Sequence, residues 1–171
     1  MKLYSENKDY KLYQGSMLDM LEVGKAGEHL VCADLIMKGY KAYLTDQGLS
    51  YDVIVDINNK LYRIQVKTTL HSSFIPQRKQ NYKSYKFNCR RCGKGGRKEY
   101  SNEDVDIVAF VCIEDNLIGY LKIEDVRSTM YFRTKEQQYF SAKQGIYLED
   151  CTFDKVIGGK NDETIFSKWT L

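Results

Sequence analysis

Asp52, Gln65 and Lys67 are residues of this sequence whose types and spacing could do chemistry together. Tyr62–Thr69 reads as a strand. Strand side chains repeat every two residues, so Tyr62, Ile64 and Val66 share an apolar face while Arg63, Gln65 and Lys67 share a polar one. The polar face carries an oxygen ligand, Gln65, and a cation, Lys67, about 7 Å apart along the strand. A turn at Asn58-Asn59 folds the preceding segment back and brings Asp52, thirteen residues before Gln65, opposite this face. Glu28, on the helix before it, can project toward the same place.

An acid, an oxygen ligand and a lysine converging on one point suit the hydrolysis of a phosphodiester. Carboxylate and carbonyl oxygens hold a hard divalent cation such as Mg²⁺. The cation polarises the phosphate and lowers the pKa of a bound water. A neighbouring lysine orients the attacking water and stabilises the charge that develops on the phosphate. Each residue alone has a plainer reading. Asp52 could begin a strand, Gln65 and Lys67 could be a solvated strand face, and Glu28 could be a first-turn helix acid favoured by the macrodipole. Their order and joint presence favour the chemical reading.

These residues need a helix and a hairpin to hold them. Met17 to Lys38 has helical periodicity, with Ala26, Leu30, Ala33 and Met37 as one apolar face. Gly39 stands where a helix C-cap is expected. Residues 40–45 and 51–56 read as short strands and 60–69 as a longer one, the last two forming the hairpin. A loop follows around Pro76. In 84–91, Tyr85, Phe87 and Cys89 alternate with Lys86, Asn88 and Arg90. Residues 93–98 (GKGGRK) are expected to be a flexible basic loop. Val105–Ile113 is a nearly continuous apolar run, as in a strand buried on both faces, and 118–123 pairs with it through a turn. A further strand is expected near 145–149. Neither a repeat nor a Pro/Gly-rich linker interrupts the chain. One domain over 1–171 is expected, with a core at about 20–125, an N-terminal arm at 1–16 and a C-terminal extension at 126–171.

The chain has 171 residues, 43% hydrophobic and 29% charged, which fits a globular protein and excludes collagen-like, mucin-like and broadly disordered chains. No apolar stretch approaches the ~20 residues of a membrane helix, and the N-terminus has no apolar leader core. Five cysteines at scattered spacings point to a reducing, cytoplasmic setting. The net charge of +3 hides an asymmetry. Lys60 to Lys98 holds 12 basic residues and no acidic one, leaving 14 basic against 23 acidic elsewhere, a net of −9. A segment this cationic, interleaved with Phe74, Tyr82, Tyr85 and Phe87, points to nucleic acid. Arg63, Arg78, Lys79 and Lys83 are candidate DNA contacts. So are Lys86 and Arg90 on their strand, and Arg91, Lys94, Arg97 and Lys98 in and beside the glycine-rich loop.

The pieces GKAGEHL (24–30), YDVIV (51–55) and IQVKTT (64–69) resemble the PD-(D/E)xK nuclease superfamily. The order Glu28, Asp52, Gln65-Val66-Lys67 is similar to its QxK subgroup, which includes group I intron-encoded homing endonucleases. YKFNCRR, EDVDIVAFV and GYLKI also look like that subgroup, so the resemblance covers about 20–125. It implies an α/β, restriction-endonuclease-like core, a mixed central β-sheet flanked by helices. It also implies metal-dependent endonuclease cleavage of double-stranded DNA with Mg²⁺, for which Mn²⁺ can substitute. A homodimer or homotetramer is implied as well, and an isologous dimer would set two sites on opposite strands. Asp52 would be the main metal ligand, Gln65 the second through its amide oxygen, helped by the Val66 main-chain carbonyl. Lys67 would be the catalytic lysine. Glu28 would be a further acid, holding a second metal or acting on the first through water. Gln65 is neutral, so the cation is expected to bind weakly or to need a DNA phosphate. Tyr51 stands where the superfamily has proline.

Three rival readings remain open at this level: a Holliday junction resolvase or other structure-selective nuclease, a non-cleaving DNA-binding protein of the same fold, and a zinc-stabilised interaction module. Cys89 and Cys92 form a C-x-x-C without a second such pair, so zinc is not expected. His71 reads as a loop residue.

Overall fold

The computed structural model describes residues 20–73, 84–93, 96–136 and 145–158, with backbone alone for 91–93 and 96–98. Helix α1 (Met20–Met37) leads into strands β1 (Lys41–Leu44), β2 (Val53–Ile57) and β3 (Lys60–Thr69). Then come β4 (Tyr85–Asn88), β5 (Arg91–Gly93), β6 (Gly96–Lys98), β7 (Ile107–Cys112) and β8 (Leu117–Lys122). Strand β9 (Thr129–Arg133), β10 (Ile146–Tyr147) and helix α2 (Phe153–Ile157) complete the order.

The central sheet runs β1-β2-β3-β7-β8. Its neighbours are antiparallel except β3 and β7, which are parallel, so the sheet is mixed. The β2–β3 hairpin turns at Asn58 and Asn59, both at positive φ (52° and 64°), the conformation a two-residue type I′ turn demands and Asn tolerates. All six residues of β7 are buried, as its unbroken apolar run predicts for a strand covered on both faces.

Two cores cover the sheet. One face carries Ile64, Val66, Ala109 and Val111 against Val31 and Leu35 of α1 and Phe153 of α2. The other carries Val108, Phe110 and Cys112 against Tyr85, Phe87 and Cys89 of β4 and Met130 and Phe132 of β9. There β4 and β9 pair in a second sheet of order β10-β9-β4. Residues 126–158, read from sequence as an extension, thus supply Phe132, Leu148 and Phe153, all with no exposed surface.

The structure corrects two expectations. In α1 the buried face is Val23, Gly27, Val31 and Leu35, while Ala26, Leu30, Ala33 and Met37 face outward. Both sets have helical spacing. The sheet selects the one with glycine, because a Cβ at Gly27 would lie 1.8 Å from Thr68 Oγ1 and 2.9 Å from Thr68 Cβ. The segment expected as a flexible basic loop is instead a small hairpin, with β5 and β6 antiparallel and Gly93 opposite Gly96. The expected arm 1–16 and the loop around Pro76 lie outside the described residues.

Candidate active site

Strand β2 pairs with β3 only as far as Val53↔Ile64. Beyond that point no described strand pairs with the β2 side of β3, an open edge among the described residues, while its other side stays paired with β7 to Thr69↔Cys112. Asp52 stands where β2 peels away. Its own N–H donates to the Ile64 carbonyl at 2.9 Å, and its carboxylate Oδ2 accepts the Val66 N–H at 2.7 Å. The side chain thus takes over the rung that the departing backbone leaves. In a strand the N–H and C=O of one residue point the same way, so the Val66 carbonyl faces this open edge too.

Alternation along β3 sorts the rest. Ile64, Val66 and Thr68 lie on the α1 side, so Gln65 and Lys67 lie on the β4 side. Gln65 is only 9% exposed, and a buried amide needs partners. Its Nε2 donates to Asp52 Oδ2 and, at 3.2 Å, to the Val66 carbonyl. Lys67 Nζ donates to Tyr100 Oη at 3.2 Å and stands 5.0 Å from the centre of the Tyr100 ring. Close packing of Gly27 on Thr68 brings its neighbour Glu28 toward the same edge from the helix layer. The edge therefore gathers Glu28 from one layer, Gln65 and Lys67 from the other, and Asp52 between them.

Electrostatics tie these groups together. Burial pushes the Asp52 carboxyl up, and the Val66 N–H, the Lys67 charge and the Gln65 amide act against that rise. Burial pushes the Glu28 carboxyl up as well, and the negative charge of Asp52 adds to it. Two partly desolvated carboxylates that repel one another, beside a carbonyl oxygen, suit a hard divalent cation, which relieves the repulsion. Turning the Gln65 amide about its last bond presents Oε1 in place of Nε2, since the two ends are nearly isosteric. The donor set fits the ion with two carboxylates. Among the described residues no group of three or more His, Cys, Asp and Glu side chains gathers for a metal.

The other expected residues fall elsewhere. Arg63 is engaged inside the protein: its guanidinium holds Asp106 through Nε (3.0 Å) and Nη2 (2.9 Å), and reaches the Asn102 and Glu103 carbonyls. Lys86 is exposed on β4 and Arg90 is exposed two residues beyond it. Arg78, Lys79, Lys83 and Lys94 lie outside the described residues, as do the side chains of Arg91, Arg97 and Lys98. Cys89 is buried in the second core, and burial pushes its thiol up to about 11. His71 is exposed beyond the end of β3. Sequence spacing singles out neither Tyr100 nor Asp106. Each meets its partner across more than thirty residues, and only the parallel β3–β7 pairing brings Asp106 beside Arg63.

Comparison with known proteins bears on this edge. A family model described as PD-(D/E)XK endonuclease matches residues 19–152. No curated protein gives a significant match. Among solved structures, a bacterial homing endonuclease, I-Ssp6803I, is similar with a TM-score of 0.52 at 16% identity, covering 71% of this chain and 82% of that one. At that identity the likeness is one of fold, and it agrees with the mixed sheet flanked by helices. The family match spans α1, the hairpin, the open edge of β3 and most of the second core, and so the chain belongs to the PD-(D/E)XK endonuclease family.

Proposed function

We propose that the chain is a metal-dependent endonuclease that hydrolyses phosphodiester bonds in double-stranded DNA, with its active site at the open edge of β3. The observation that carries this is the convergence of the Asp52 carboxylate, the Gln65 amide and the Val66 N–H and carbonyl, with Lys67 close enough to act on the Asp52 carboxyl electrostatically. Asp52, Gln65 through Oε1 and the Val66 carbonyl would hold the cation, Mg²⁺ or Mn²⁺, with Glu28 acting directly or through water. A divalent cation bound there supplies Lewis acidity to the scissile phosphate.

The chain's own residues do the remainder. Lys67 offers a positive charge and hydrogen-bond donors where negative charge grows on the phosphate, and it orients the attacking water. The Val66 N–H, donating at 2.7 Å, keeps the Asp52 carboxylate in one orientation, so little reorganisation is left for the moment of reaction. Lys86 and Arg90 contact phosphates, which fixes the duplex but carries no sequence information by itself. Two copies in an isologous dimer would cut both strands.

The test is cleavage of a supercoiled plasmid, a randomised linear duplex library and a four-way junction, with Mg²⁺ or Mn²⁺ against EDTA. Cleavage of the duplex substrates is expected, lost with EDTA and reduced at least about a thousandfold in Lys67→Ala, the scale of removing a positioned charge from a transition state. Metal-independent cleavage, or Lys67→Ala at wild-type rate, would overturn the assignment. Cleavage confined to the junction would replace the duplex with a branched substrate.

A further inference from the structure

We propose that Tyr100 is a positioning residue for Lys67, holding its ammonium through the hydroxyl of a ring that the core fixes; the inference rests on the reading of Lys67 as the lysine of the cleavage site. A lysine ends a flexible four-carbon stem, and its ammonium goes where the strongest local partner draws it. Asp52 is one such partner, near enough for each charge to act on the other. Left to Asp52 alone, the ammonium would settle on the carboxylate that the cation needs. Tyr100 supplies the counterweight. Its Oη accepts from Lys67 Nζ at 3.2 Å, and the ring centre lies 5.0 Å from the same nitrogen, so the ammonium stands at the hydroxyl end of the ring.

The ring is itself anchored. Tyr100 is half-buried and packs against the second core, the one that Phe87, Cys89 and Phe110 build beneath β4. Cys89 of that core lies close enough to feel the Lys67 charge, so the lysine runs along the same layer that seats the tyrosine. Tyr100 also stands two residues after β6, the return strand of the basic hairpin. The lysine is thereby held between Asp52 at the sheet edge and a ring fixed by the core. Losing the hydroxyl releases the hydrogen bond, and losing the ring also removes the wall beside the lysine stem.

The test compares Tyr100→Phe, which keeps the ring, with Tyr100→Leu, which keeps neither contact. Both are set beside Lys67→Ala. On a duplex substrate with Mg²⁺, kcat is expected to fall about 3–10-fold in Tyr100→Phe and about 30–100-fold in Tyr100→Leu, the scale of a displacement near 1 Å, with KM changed less than about twofold. A second readout needs no metal and no cleavage. In protein labelled with ¹³C at lysine Cε, the Lys67 signal is identified by its absence in Lys67→Arg. It should lie apart from the other lysines in wild type and move toward their position in Tyr100→Phe and Tyr100→Leu. Wild-type kcat in both Tyr100 variants, with Lys67→Ala inactive, would overturn this inference alone. So would a Lys67 signal that neither Tyr100 variant moves. Lys67→Ala that cleaves at wild-type rate would overturn the site reading and this inference with it.

Discussion

Asp52 and Glu28 are two carboxylates kept near each other and partly out of water. Both have folded pKa values raised above the ordinary carboxylate range. Such a group stabilises the fold below its ordinary value and loses that contribution as pH rises through the raised one. At neutral pH, without metal, the site is therefore a strained place. Asp52→Asn should raise the melting temperature of the metal-free protein at pH 7 by roughly 2–4 °C, about what 1 kcal/mol gives in a domain this size. The gain should vanish at pH 3. Mg²⁺ at saturating concentration should raise the wild-type melting temperature, since a ligand of the native state alone stabilises it. It should leave Asp52→Asn unmoved. A scan of both proteins by calorimetry checks all four expectations. Asp106 has the opposite sign. Burial alone would push its carboxyl up, but hydrogen bonds from the Arg63 side chain and backbone, with the Arg63 charge, hold it below the usual range. Its contribution is present above the ordinary carboxylate value and is lost as pH falls through the depressed one. Asp106→Asn should cost about 1–2 kcal/mol at pH 7 in urea unfolding. The difference should close in strong acid.

At the scale of elements, the site depends on how α1 seats on β3. The contact is Gly27 on Thr68, and an added methyl there meets Thr68 Oγ1 at 1.8 Å. Among the described residues Thr68 Oγ1 is buried without a hydrogen-bond partner, so the tight seat is made at the expense of that hydroxyl. Gly27→Ala should destabilise by about 1–3 kcal/mol, as overpacking does, and lower cleavage by moving Glu28. Thr68→Ala in the same chain should recover part of both losses, measured by urea unfolding and single-turnover cleavage. The hairpin was legible from the sequence because its signals are local: Asn58-Asn59 for the turn and strict alternation through Tyr62–Thr69, matching β3 at 60–69. The face of α1 was not legible. The helix carries two apolar stripes, and only Thr68, distant in sequence, decides which one can approach the sheet. The same limit hid the roles of Arg63 and Tyr100. Read along the chain Arg63 is one more cation of a basic segment, whereas the parallel strand β7 brings Asp106 to it and leaves it ion-paired.

For the whole molecule, the cationic segment between Lys60 and Lys98 is where the proposed function places the DNA. With Arg63 ion-paired internally, Lys86 and Arg90 are its exposed cations on and just after β4, and Lys86 lies 5.9 Å over the ring of Tyr131 on β9. The sheet β10-β9-β4 packs one face on the core and presents the other outward, beside the strand that carries Gln65 and Lys67. Replacing Lys86 and Arg90 together by alanine should weaken duplex binding and reduce the log–log salt slope by about 2, one for each phosphate contact. Equilibrium binding across a salt series checks it, and an unchanged slope would remove β4 from the DNA surface. No described helix is long and apolar enough to cross a membrane. The central claim is that a divalent cation sits among Asp52, Gln65 and the Val66 carbonyl, and the most direct measurement maps the ion itself. Fe²⁺ in place of Mg²⁺, with ascorbate and peroxide, makes short-lived radicals that cut the polypeptide where the ion is bound. Cuts confined to the chain around Asp52 and Val66, suppressed by excess Mg²⁺ and absent in Asp52→Asn, are the result expected. Cuts elsewhere, or the same cuts in Asp52→Asn, would contradict it.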